Sequence, residues 1–72
     1  MKHKNLASER VRLGMSQTDL ACELGVDLKT VSLYENGKRS MSPEFLTAAA
    51  DLFGCSIDYL LDRTPERVPR PA

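Results

Sequence analysis

The 72-residue chain has no apolar run as long as the central region of a signal peptide or a membrane-spanning helix, so neither export nor a bilayer is expected and the reading is cytoplasmic. Cysteines are few and poorly spaced for chemistry. Cys22 and Cys55 lie far apart, in no CxxC pattern and with no histidine beside them, which leaves neither a zinc site nor a disulfide framework to read. Cys55 is expected as a small buried apolar residue and Cys22 as a free thiol on the outer face of its helix; a reducing compartment suits both. The single histidine, His3, falls in a stretch expected to fray. With no carboxylate pair, metal-ligand cluster or glycine-rich phosphate loop, no enzyme, cofactor or metal is expected. Net charge is lacking too: ten basic side chains balance ten acidic ones.

What is present is punctuation. Ser16 is placed to cap a helix, with Asp19 three residues on to complete a capping box and Met15 and Leu20 at the two staple positions. Asp27 repeats the pattern between Val26 and Val31, and Gly25 before it suits the left-handed residue that ends a helix. Ser42, Pro43 and Glu44 combine a cap, a proline at the first helical position and an acid in the first turn. Ser56 caps a last short helix.

These signals predict five helices and no strand: an all-α fold. The first runs from about Asn5 to Leu13, with Leu6, Arg10 and Leu13 on one face, Gly14 as its stop and Met15 packing back. The second and third occupy the run SQTDLACELGVDLKTVSLYENG, joined by a very short turn. The fourth buries Phe45, Leu46, Ala49, Leu52 and Phe53 before Gly54, and the fifth ends at Leu61. Residues 1–64 form one small domain, whose core is marginal unless its helices are well capped or a second subunit helps. Residues 65–72, rich in proline and arginine, are read as a disordered tail.

Two short, separately capped helices joined by so tight a turn make a helix-turn-helix, a unit that lays its second helix in the major groove of DNA. With the motifs SQTDLA, LGV, YENGKR and FGCSIDYLL, the stretch from Leu6 to about Thr64 resembles the lambda-repressor-like family of Cro and CI type, found in phage repressors and small bacterial regulators. That resemblance implies a compact five-helix domain binding near-palindromic operator DNA, usually as a two-fold dimer. It also implies that Gln17, Asn36, Lys38 and Arg39 contact phosphates, that Leu28, Lys29, Ser32 and Leu33 face base edges, and that Arg10 and Glu35 form a largely buried ion pair.

This chain departs from the family's commoner pattern in its apolar Leu28 and Leu33, which can touch thymine methyls but cannot hydrogen-bond a base. Readout then leans on Lys29, supported by Thr30 and Ser32, and on DNA shape. The charge is polarised. Residues 1–39 carry seven basic and five acidic side chains, while residues 40–64 carry Arg63 against Glu44, Asp51, Asp58 and Asp62. Ile57, Tyr59, Leu60 and Leu61 offer more apolar surface than one short buried face needs and are read as the pairing surface of a homodimer. The function expected is that of a sequence-specific transcriptional regulator, a small repressor of phage or mobile-element type acting at the nucleoid. The alternative is a protein-interaction module, an antitoxin or anti-repressor partner, using the Leu28/Leu33 face or the fifth helix.

Overall fold

The computed structural model describes residues 3–64, so the expected tail at 65–72 lies outside the described residues. Within them the chain forms α1 (Lys4–Arg12), α2 (Gln17–Leu24), α3 (Leu28–Glu35), α4 (Pro43–Phe53) and α5 (Ile57–Leu60), and no strand. Short polar side chains begin four of the five. Ser16 Oγ accepts from the Asp19 N–H at 3.0 Å while Asp19 Oδ2 accepts from the Ser16 N–H at 3.0 Å, a complete capping box. Asp27 Oδ1 takes the Thr30 N–H at 2.9 Å, Ser42 Oγ that of Phe45 at 3.1 Å and Ser56 Oγ that of Tyr59 at 3.1 Å. Gly25, with φ at 69°, turns the chain out of α2 and lets Val26 N–H close on Ala21 O at 3.0 Å, so α3 starts almost at once.

α1 starts differently. Its N-cap, His3, makes no side-chain cap, and the free amide of Asn5 instead donates to Asp62 Oδ1 at 3.3 Å, from beyond the other end of the domain. Asn5 Nδ2 donates to Tyr59 O at 2.8 Å, and the His3 N–H to Glu35 O at 3.1 Å. His3 Nδ1 and Asp62 Oδ2 are buried 3.4 Å apart. The first residues of the fold are therefore tied to α3 and to the chain after α5, and the expectation that His3 frays is corrected.

The core closes around Leu6, Leu20, Val31, Phe45, Ala49, Phe53 and Leu60, with Tyr34 and Phe45 meeting edge to face at 4.6 Å. Cys55 is buried and Cys22 exposed. Three residues depart from the expected stripes. Leu13 lies past the end of α1, where Gly14 swings the chain aside, and is 42% exposed; Leu52 is only half-buried, with Ala50 beside it fully covered. Leu61 caps α5 rather than extending it.

The inner face of α1 carries Glu9, only 2% exposed. Its Oε1 accepts from Arg12 Nε at 3.1 Å and Nη2 at 2.9 Å, and Arg12 Nη2 also donates to Phe53 O at 3.3 Å. Those bonds join α1 to the end of α4.

The two acidic caps make stability depend on pH in a defined direction. The Asp19 carboxyl is held below its usual range by the Ser16 backbone N–H and then by the Ser16 hydroxyl; Asp27 is lowered by its hydrogen bonds to Thr30, with the charge of Arg39 contributing. A folded value below the unfolded one stabilises at pH above the unfolded value, and that contribution is lost as the pH falls through the folded one. The parent's urea midpoint should drop below about pH 4, and an Asp19→Asn, Asp27→Asn double variant should lose less on the same acidification. Parallel acid limbs would refute this account of the caps.

Candidate nucleic-acid interface

At the centre of the helix-turn-helix lies a carboxylate rather than a hydrophobic contact. Glu35, in the last turn of α3, accepts from Arg10 Nε at 2.7 Å and from Arg10 Nη2 at 3.2 Å, a bidentate pair whose side chains are only 15% and 7% exposed. Arg10 Nη1 reaches on to Met15 O at 2.8 Å in the turn before α2. Gln17, in the first turn of α2, donates from Nε2 to Glu35 Oε1 at 3.1 Å. One carboxylate thus links α1, α2 and α3, and fixes the angle at which α3 stands away from the body.

The same bond brings the start of α2 beside the end of α3, next to the loop that holds Asn36, Lys38 and Arg39. The Lys38 N–H bonds to Leu33 O at 2.9 Å, which closes α3 and holds the loop against it. Asn36, Lys38 and Arg39 are exposed and Gln17 half-buried. Gln17 is held at the end of α3, one residue before that loop, by its bond to Glu35. Its amide nitrogen carries two protons, and the Glu35 bond uses one.

Val31, Tyr34 and Glu35 turn inward on α3, which leaves Lys29 at the middle of the outer face with Ser32 and Leu33 to either side and Leu28 and Thr30 at its margins. Leu28 is 48% exposed and Lys29 exposed, while Ser32 and Leu33 are half-buried. Asn36 folds back from the helix end, its Nδ2 donating to Ser32 O at 2.9 Å and lying 3.4 Å from Ser32 Oγ. Sequence reasoning missed both amide contacts. Nothing at the level of residue spacing marks Gln17 as Glu35's third donor, although the four-residue step from Ser32 to Asn36 is one a helix brings together.

The expected pairing surface on α5 is only partly available. Tyr59 is 8% exposed and Leu60 fully buried within the chain's own core, which corrects the reading of all four residues as free for a partner. A helix of one turn at the edge of a small core has to close that core, and these two side chains do so. Ile57 and Leu61 are half-buried against it.

No group of three or more potential metal ligands occurs among the described residues, and no helix there is long and apolar enough to cross a membrane.

Because Glu35 and Arg10 are both largely covered, removing Glu35 leaves Arg10 inside the domain without its carboxylate partner. Glu35→Ala should cost about 3–5 kcal/mol and leave a small domain badly destabilised or unfolded, whereas Arg10→Met, Glu35→Leu together should recover much of the loss. Thermal melting checks both, and a Glu35→Ala protein melting within a few degrees of the parent would show that the pair matters little.

The described helices, their short turn and the outward face of α3 agree with a family model described as Helix-turn-helix, which matches residues 6–60, most of the chain. The chain belongs to that family, the Cro/CI-type, lambda-repressor-like helix-turn-helix proteins, a family of DNA-binding transcription regulators.

Proposed function

We propose that this protein is a sequence-specific, operator-binding repressor of the small phage or mobile-element kind, which inserts α3 into the major groove and works on the nucleoid as a homodimer. The observation that carries the reading is how charge is used around α2 and α3. Asp19 and Asp27, on the surface, are turned onto helix N-termini whose dipoles offset part of their charge, and Glu35 is enclosed by Arg10 and Gln17. Lys29, Lys38 and Arg39 stand exposed, and none of the three forms an ion pair among the described residues. A chain of zero net charge thereby keeps exposed basic side chains where phosphates would lie.

In this reading Lys38 and Arg39 bind phosphates by charge, while Gln17 and Asn36 add amide protons that set the register. Lys29, with Leu28, Ser32 and Leu33 around it, meets the base edges. An eight-residue recognition helix spans too few base pairs to select a site in a genome. A dimer places two such helices about 34–36 Å apart on a near-palindromic site, and Ile57 and Leu61 are the part of the α5 surface left for pairing.

Phosphate and base contacts separate by experiment. Lys38→Ala should weaken binding about equally on all sequences and flatten the salt slope by about one unit, measured by gel shift over a range of salt. Lys29→Ala should instead relax preference at one operator position by about 1–3 kcal/mol. An unchanged ranking of operator variants would remove Lys29 from the reading residues. Sedimentation of the complex tests the dimer, which a one-to-one complex holding full affinity on a half-site would rule out. No salt-sensitive retention on any DNA, with tight association to a protein, would assign the Leu28 face to a protein partner.

A further inference from the structure

We propose that Asn36–Gly37 is a site of covalent self-modification, at which Asn36 deamidates through a succinimide, and that the closed end of α3 holds this reaction back while its product no longer binds DNA. The loss of binding rests on the proposed phosphate contacts of the loop; the chemistry of the site does not.

The site follows from how α3 has to end. Gly37 stands at φ 71°, the left-handed conformation that glycine adopts at least cost, and Asn36 is the C-cap before it. Helix termination thus sets an exposed, chemically labile asparagine in front of the one residue type with no Cβ to shield its amide nitrogen. In ring closure the Gly37 nitrogen, its proton lost to hydroxide, attacks Asn36 Cγ. The new N–C bond forms, the Cγ–Nδ2 bond breaks, and Nδ2 leaves as ammonia with a proton taken from water. Water then adds across either C–N bond of the imide, which leaves an aspartyl or an isoaspartyl residue. The net reaction consumes water, releases ammonia and changes no oxidation state.

The closed end of α3 opposes each part of that attack. At the observed ψ of −2° the Gly37 nitrogen eclipses the backbone nitrogen of Asn36, whereas the succinimide ring needs it to eclipse Cβ. The Gly37 N–H donates to Tyr34 O at 3.1 Å, and the leaving group, Asn36 Nδ2, donates to Ser32 O at 2.9 Å. The Lys38 N–H, on Leu33 O at 2.9 Å, fastens the chain just beyond. Reaction therefore proceeds from molecules whose last α3 turn has opened. A duplex that engages Asn36, Lys38 and Arg39 favours the closed turn, so bound protein ages more slowly than free protein.

The product cannot do what Asn36 does. A carboxylate has no N–H to offer a phosphate, repels it, and sits at the negative end of the α3 dipole. An isoaspartyl linkage also lengthens the main chain by a carbon just ahead of Lys38 and Arg39. Binding falls on every sequence alike, because these groups set position rather than read bases.

The test follows the full chain at mildly alkaline pH by peptide mass spectrometry: folded, unfolded in urea, and folded with excess random-sequence duplex at low salt. Asn5, the chain's other asparagine, precedes Leu6 within α1 and serves as the internal reference. Amide-to-acid conversion at Asn36 should outrun that at Asn5 in the unfolded chain, proceed at least about tenfold more slowly in the folded one, and slow again with duplex. Deamidated protein, separated by ion exchange, should bind the duplex about tenfold or more weakly than unmodified protein at the same salt. Conversion in the unfolded chain no faster at Asn36 than at Asn5 overturns the site, and equal folded and unfolded rates overturn the protection by α3. Deamidated protein with undiminished affinity overturns the loss of function. Unmodified protein that binds no duplex in a salt-dependent way defeats the DNA reading and the loss of function together, with the modification itself still judged by the rates.

Discussion

The Glu35 carboxylate is the constraint on which the rest of the structure depends. Three N–H donors from two other helices converge on its two oxygens, and the backbone oxygen of the same residue takes the His3 N–H. Hydrophobic burial is non-directional and would tolerate α3 at several tilts against α1 and α2. A bidentate guanidinium with an amide beside it tolerates very little. The core supplies the driving force for folding, and the buried polar node selects one arrangement within it. The selected arrangement is also the one that stands the outer face of α3 clear of the body.

The node lies one residue from Asn36, at the boundary between the interior and the surface proposed to meet DNA. Gln17 belongs to both, with one amide proton on Glu35 and the other free. A long, flexible side chain that has to find a phosphate loses rotamer freedom on binding, whereas one already held by an internal hydrogen bond has lost it on folding. The same reasoning applies to Asn36, whose amide is held by Ser32 before any partner arrives.

Much of this organisation is legible in the sequence because it is local. Ser16, Asp27, Ser42 and Ser56 announce their helices within three residues, and Gly25 and Gly54 end theirs with the backbone conformation glycine adopts most readily. Leu13 is misread because periodicity carries on past the point where Gly14 ends the helix. The burial of Tyr59 and Leu60 is misread because composition gives the amount of apolar surface on α5 but not the size of the gap it fills. Glu9 is hardest. A glutamate at a buried position contradicts its usual preference, and Arg12, one turn later and itself donating to Phe53 O, helps make the position tenable. The Arg10–Glu35 pair is expected from family resemblance alone, since no spacing rule connects residues that far apart in sequence.

The borrowed cap of α1 has a consequence for how the molecule comes into being. A ribosome releases the chain from its amino end, and α2, α3, α4 and α5 each carry their own start signal as they emerge. The first helix does not. Its amide at Asn5 waits for Asp62, and its side-chain amide waits for Tyr59 O, so the helix that precedes the other four in the chain is among the last to be completed. The last contacts of α1 therefore need the chain through Asp62, and a truncated product ending before Asp62 lacks one of the contacts that hold that helix's start in place.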